Sequence, residues 1–200
     1  MKLYYFIVAP NPTKVRTYLA EKGIEVESVL VSLLDGEQKK PEFLAKNPRG
    51  KLPVLELDDG SFVCESLPII EYFEELHPDP PMWGTTPEER VHARELERIC
   101  DIGVLMGLGR YVHATNSPLG LPPNPAVAED AWASALDTLA LLDARIGDGP
   151  FVAGDRVTVA DCTLHGALGF ARFREVEVPE RFGNVIRWWE RFQKRPSTQL

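Results

Sequence analysis

From His77 to Pro87 the chain reads HPDPPMWGTTP, with four prolines in eleven residues. Proline lacks the N–H that a helix interior or a central strand needs, and its ring clashes with the preceding helical turn. No regular element crosses such a stretch, so the chain divides there. Composition shifts at the same point. Residues 1–76 carry seven Lys and two Arg, whereas the rest carries one Lys and twelve Arg. The expected organisation is a domain over 1–76, a linker over 77–86 and a second domain over 87–200.

The two sides have different periodicities. In the first, Leu3–Val8 is a short apolar strand. Asn11 is placed to cap a helix with Pro12 at its first position, where the missing N–H is harmless. Val15, Tyr18 and Leu19 form that helix's apolar stripe, and Gly23 stops it. Glu25–Ser32 alternates as a strand, a short helical piece lies near Pro41–Lys46, and Pro53–Leu57, Asp59-Gly60 and Ser61–Cys64 read as a hairpin. A helix over Leu67–Leu76 completes a β-α-β then β-β-α order, in which the first strand pair is parallel. The second side is all helix: Pro87–Arg110, Pro125–Ile146, and helices near 159–173 and 181–194. Thr158 and Asp161 have the spacing of a capping box. The fold class is α/β plus all-α.

Charge and cysteine content narrow the function. The net charge is −8, from 22 basic and 30 acidic residues. That argues against nucleic acid and anionic membrane as partners, and leaves room for a local site for a small anion. Cys64, Cys100 and Cys162 are odd in number and lack a C-x-x-C spacing, so no disulfide framework or zinc ribbon is expected. A reducing, cytoplasmic setting fits. The N-terminal apolar run reads as a strand rather than a signal peptide, and no run is long enough to span a membrane. His77, His92 and His165 form no ligand spacing with Cys or Asp, so no metal is expected.

Two segments carry chemistry. The first is Gly50-Lys51-Leu52-Pro53. A cis Leu52–Pro53 bond would turn the chain and leave the Leu52 N–H and C=O facing out to pair with an extended peptide. The alternative is a trans proline opening an edge strand. The second is Glu65-Ser66, ahead of a helix. The N–H groups of a helix start bind a carboxylate, and Glu65 pairs with an ammonium. Together they suit an amino-acid head group. The alternative is a plain N-cap beside a solvated Glu.

NPRGKLPVLEL, the Glu65-Ser66 pair, FVAGDRVTVAD, and NPTKVRTYLAEKGI with GEQKKPEFLAKNP resemble the glutathione S-transferase superfamily over nearly the whole chain. The last two segments further resemble its Gtt2-like/nu-like bacterial branch. The resemblance implies a thioredoxin-like N-terminal domain, an all-helical C-terminal domain, a homodimer, and glutathione as co-substrate. It also implies that Leu52, before cis-Pro53, pairs with the cysteinyl unit. Glu65 and Ser66 then hold the γ-glutamyl head, and Lys51 with Gln38 or Lys39 meets the glycyl end. It assigns Asp161 to folding, at the usual capping cost of about 0.5–2 kcal/mol. Asp101 falls where several branches place an acid from the partner subunit.

One departure matters. Many members place Ser before the first helix, where this chain has Ala9-Pro10-Asn11-Pro12. Another group must then stabilise the thiolate, by about 2.7 kcal/mol for a drop of about two pKa units. Tyr5, Asn11 and Thr13 are the candidates near that position. Each has a bland alternative: a core aromatic, a helix cap and a solvated surface residue. His113, at the end of the first long helix, acts as base or holds a water, or else complements the helix dipole. Gly103, Gly107 and Gly109 mark close packing or a roomy cleft. The expected activity is conjugation of glutathione to a hydrophobic electrophile, as in detoxification. The alternatives are a glutathione-dependent disulfide or peroxide reductase, and a non-catalytic ligand- or partner-binding protein.

Overall fold

The computed structural model describes residues 1–199. Strand β1 (Lys2–Tyr5) lies parallel to β2 (Glu27–Leu30) and antiparallel to β3 (Val54–Glu56), and β4 (Phe62–Cys64) closes antiparallel to β3. The sheet order is β2-β1-β3-β4. Successive residues of a strand face opposite sides. Leu3 and Leu55 accordingly meet α1 (Pro10–Lys22) and α3 (Ser66–Leu76) through Val15, Tyr18, Ile69 and Phe73. Tyr4 and Val54 face the other way, toward Phe43 of α2 (Pro41–Leu44). The strands are shorter than their apolar runs: the first ends at Tyr5 rather than Val8, and the second spans Glu27–Leu30 rather than Glu25–Ser32. The residues beyond Tyr5 leave the sheet to feed the loop before α1.

Both expected helix caps take a different form. Asn11 does not cap α1. The helix begins at Pro10, whose fixed φ suits the first helical position, and Ala9 occupies the cap with no side-chain bond. Ser66 does not cap α3 either. Glu65 is the cap residue, at φ 76°, and Ser66 is the first helical residue. The two polar side chains bond each other instead, Ser66 Oγ donating to Asn11 Oδ1 at 2.9 Å.

The second half is helical throughout. α4 (Pro87–Arg98) starts at a Thr86–Glu89 capping box. The expected single helix over Pro87–Arg110 runs on through a π-helical segment, Ile99–Leu105, into α5 (Met106–Thr115). Here α6 (Pro125–Ile146) presses closely. A Cβ on Gly103 would collide with the Thr138 side chain, and one on Gly107 would lie 3.1 Å from Ala135 Cβ. These two glycines therefore serve close packing, while Gly109 faces open space. α7 (Val159–Phe173) is the central helix of this half, flanked by α8 (Gly183–Phe192).

The Thr158–Asp161 capping box is present and does more than cap α7. The fully buried Asp161 carboxylate accepts from the backbone N–H groups of Val152 and Thr158, from Thr158 Oγ1, and from Trp188 Nε1 at 2.8 Å. It ties a loop, a helix start and α8 together, so the capping range understates its worth. Burial pushes its pKa up to about 6 against the pull of those donors.

The halves dock through α1 on α7. A Cβ on Gly166 would sit 2.6 Å from Pro10 O, so only glycine admits this approach. Beside it, Lys14 Nζ meets Glu97 Oε1 at 2.5 Å with both side chains fully buried. Thr163 Oγ1 donates to the same oxygen at 3.2 Å. At the other end, Arg195 and Ser197 donate to Glu21. No described helix is long and apolar enough to cross a membrane, and the described residues hold no cluster of metal-ligating side chains.

Candidate functional site

The loop before α1, the start of that helix, the Gly50–Leu52 segment and the end of α5 enclose a groove of about 240 Å³. Its floor depends on how NPRGK folds. The buried Asn47 donates through Nδ2 to Lys51 O at 2.8 Å and accepts from Arg49 N at 3.1 Å, which curls the loop around its side chain. Gly50 has φ 59°, and a Cβ there would lie 2.9 Å from Gln38 O. The left-handed backbone and the close approach both call for glycine. This contact brings Gln38 and Lys51 to one wall.

The Leu52–Pro53 bond is cis, and among the described residues the Leu52 N–H and C=O have no backbone partner. Gln38 is 7% exposed, and its Oε1 has no hydrogen-bond partner among the described residues. A buried amide oxygen left unpaired costs about 1–3 kcal/mol. Lys51 is exposed on the rim of the groove. Lys39 lies on a neighbouring cavity of about 510 Å³ that also takes in Gln38, Gly50 and Arg49. Arg49 is a residue the sequence reading missed. Its Nη1 donates to Glu65 Oε1 at 2.5 Å, so Glu65 sits beside a cation. In the sequence Arg49 adjoins Gly50-Lys51 and stands 16 residues before Glu65, and only the fold brings the two together.

The start of α1 lines the groove, and the start of α3 adjoins it through the Ser66–Asn11 hydrogen bond. In α1, Pro10 and Pro12 have no N–H and Thr13 N bonds Ala9 O at 3.0 Å, which leaves Asn11 N–H as the donor of the first turn. Because Asn11 Oδ1 is held by Ser66, its Nδ2 is the end left to donate. In α3, Pro68 has no N–H, and Ser66 and Leu67 supply the first-turn donors.

His113 lines the groove. Ser117 Oγ lies 2.9 Å from its Nδ1, and the ring packs 5.8 Å from Phe170. Burial first, and then the Lys51 charge, hold its pKa below the ordinary value, so the imidazole is neutral at neutral pH. Two other candidates lie elsewhere. Tyr5 is not among the groove-lining residues; its ring carries the Arg16 guanidinium at 4.4 Å. The Thr13 hydroxyl bonds Ala9 O at 3.0 Å and lines a different cavity. Asp101 pairs within its own chain, with Arg98 at 2.8 Å and Lys14 at 3.9 Å. The buried Cys100 and Cys162 thiols are pushed up by burial, as is the half-buried Cys64, so none is a nucleophile at neutral pH.

A thioredoxin-like sheet domain docked on a helical bundle, with a groove at the junction, defines the class. Residues 3–81 match the family model described as glutathione S-transferase, N-terminal domain, and residues 125–191 match glutathione S-transferase, C-terminal domain. The chain belongs to the glutathione S-transferase family. It is 35% identical over 206 residues to glutathione S-transferase 2 of Saccharomyces cerevisiae, covering 100% of this chain and 88% of that protein. The crystal structure of Gtt2 from the same yeast superposes with TM-score 0.92 at 36% identity, covering 100% of this chain and 99% of the other. A class Gtt2 glutathione S-transferase of Vibrio parahaemolyticus gives TM-score 0.84 at 30% identity, with 100% and 96% covered.

Proposed function

We propose that this protein is a glutathione transferase that joins the glutathione thiolate to an apolar electrophile. One observation carries the reading. An unpaired Leu52 backbone, the start of α1, and apolar walls from Leu33, Leu34, Leu119 and Phe170 meet at one groove, and the start of α3 adjoins it through the Ser66–Asn11 hydrogen bond. The peptide's cysteinyl unit pairs with Leu52. Its γ-glutamyl carboxylate rests on the Ser66 and Leu67 N–H groups, and its ammonium faces Glu65. Its glycyl end reaches Lys51 and Gln38, with Lys39 and Arg49 on the neighbouring cavity.

Asn11 supplies the donors that Ala9 lacks. Its Nδ2 and backbone N–H face the sulfur from the positive end of α1. A hydrogen bond to a charged group contributes about 1.5–3 kcal/mol and a helix terminus about 0.3–1 kcal/mol. Their sum meets the requirement of about 2.7 kcal/mol for a two-unit drop. The thiol proton leaves to water or to neutral His113, which Ser117 orients. The sulfur lone pair then forms the S–C bond while the leaving group departs with its own bonding pair. Holding both reactants in one groove supplies the remaining rate. Thr13 and Tyr5 take no part in this assignment.

The protein acts as a homodimer in the cytoplasm. The exposed apolar side chains Val91, Ile102, Met106 and Leu141 lie on α4, the π segment, α5 and α6 and call for a covering partner. The unpaired thiols suit a reducing compartment. A second reading, reduction of glutathione-linked disulfides, draws on the neighbouring 510 Å³ cavity, which has room and cations for a second peptide. Turnover of glutathione with a chlorodinitrobenzene tests the first. Activity only with a small glutathione disulfide would select the second. Failure to bind glutathione at millimolar concentration would leave a non-catalytic binding protein.

A further inference from the structure

The C-terminal ends of α5 and α7 meet beside the groove, with one cation between them. Asn116 is the C-cap of α5 and Arg174 is the C-cap of α7. Arg174 Nε donates to Asn116 O at 2.9 Å, and its Nη2 donates to Asn116 Oδ1. A guanidinium holds its donors in a fixed plane, so two bonds to one residue set orientation as well as distance. A cation is also favoured at a helix C-terminus, and here two such ends share it. α7 stops in a turn where Glu175 has φ 60°, a left-handed conformation that favours glycine, and Val176 N closes the turn on Ala171 O at 2.9 Å. A non-glycine residue persists in that conformation only where its surroundings enforce it. The place of Arg174 at the helix end is therefore set by the backbone.

The segment after Asn116 carries one wall of the groove. Ser117 Oγ lies 2.9 Å from His113 Nδ1 and accepts from Leu119 N at 3.2 Å, while Pro118 and Leu119 line the groove together with Leu33 and Leu34 of the other half. Residues 119–124 are exposed, so packing does little to fix this segment. Its far end is tied by Asn124 N to Ala114 O at 2.8 Å, and its near end by Arg174. We propose that Arg174 is a positioning residue: by clamping Asn116 it holds Ser117, Pro118 and Leu119 in place, and so sets the orientation of His113 and the wall on which the electrophile rests. The effect on turnover rests on the transferase reading; the clamp itself does not. Arg174 is not among the residues that line the groove, so it acts only through Asn116. Without the clamp, Ser117 leaves the imidazole and water reaches the ring, whose neighbours are Phe170 and the charge of Lys51. Leu52, Glu65 and Ser66 belong to the other half, so glutathione binding should not change.

Steady-state kinetics with glutathione and a chlorodinitrobenzene, together with a pH titration of His113 by nitrogen NMR, test the proposal on the full chain. R174M should lower kcat/KM for the electrophile by about tenfold. Its affinity for S-hexylglutathione should stay within about twofold of wild type. R174K replaces the fork by a single ammonium and should recover only part of the loss. N116A removes one of the two acceptors and should lose less than R174M. The double variant R174M/N116A should be no worse than R174M, because the two residues act as one unit. The His113 pKa should rise toward the ordinary value in R174M, and by less in N116A. A merely structural role would lower Tm and leave these readouts where they are. N116A alters an exposed side chain, so its own loss of kcat/KM and its own His113 shift decide the matter if R174M does not fold. R174M equal to wild type, an equal loss of S-hexylglutathione affinity, additive losses in the double variant, or an unmoved His113 titration would each overturn the proposal. A wild type that binds S-hexylglutathione but turns over no chlorodinitrobenzene refutes the transferase reading alone, and the His113 titration then still decides whether the clamp exists.

Discussion

Lys14 and Glu97 join the two halves of the molecule, and replacing Lys14 with Met should show how strongly. Both side chains are fully buried, and their charged atoms lie 2.5 Å apart. Without Lys14, the Glu97 carboxylate keeps Thr163 Oγ1 at 3.2 Å and Arg98 Nη1 at 3.5 Å. Breaking a buried pair from one side costs about 3–5 kcal/mol. Because Arg98 is 43% exposed and still offers part of a counter-charge, the expected loss is at the low end, about 3 kcal/mol. For a chain of this length that is a fall of about 6–12 °C in Tm. The double variant K14M/E97L removes both charges and should recover most of the loss, since apolar replacement of a buried pair is often neutral. Asp101 keeps Arg98 at 2.8 Å in both variants, so it adds no new orphan. Urea denaturation of wild type, single and double variants reads these values. A single variant within about 1 kcal/mol of wild type, or a double variant no better than the single, would refute the reasoning.

Asn11→Ala should raise the pKa of bound glutathione by about 1–2 units, read by thiolate absorbance against pH, because it removes one donor to an anion. Ser66→Ala should raise it less, since it only releases the Asn11 amide; the smaller shift in the double-mutant cycle measures that orientation. Asp161→Ala should cost about 3 kcal/mol or more in urea denaturation, beyond a cap alone, because four donors including Trp188 Nε1 lose their acceptor. His165 has its pKa held down to about 4 by burial. The folded state therefore binds this proton later than the unfolded chain does. The resulting stability is complete above pH about 6.5 and is lost as pH falls toward 4, by up to about 3 kcal/mol. Asp161 acts in the opposite sense, because its raised pKa favours the folded state below about 6. The histidine's contribution is thus read as the difference between wild type and His165→Phe across pH, and a pH-independent difference would contradict it.

Much of the fold is legible because it is local. The proline run at 77–87 ends elements by chemistry that acts within a few residues, and the Thr158–Asp161 box places the start of α7 by its own spacing. Strand and helix order followed from periodicity, while the ends of the strands did not, since the residues after Tyr5 are apolar for the groove rather than for the sheet. The caps failed for a related reason. Asn11 and Ser66 have the right chemistry to cap their own helices, but each satisfies the other across 55 residues.

Sequence alone pointed to a division at the proline run, the alternation of the first half, the helical second half, and Gly50–Pro53 and Glu65-Ser66 as the segments that carry chemistry. Those features depend on backbone chemistry and short-range patterning. Tertiary structure alone decided which polar residues meet. Arg49 reaches Glu65, Asn11 is held by Ser66, Lys14 finds Glu97, and Thr13 and Tyr5 fall outside the groove. A side chain's role in these pairs depends on distance and burial, and neither is set until the two halves close on α1.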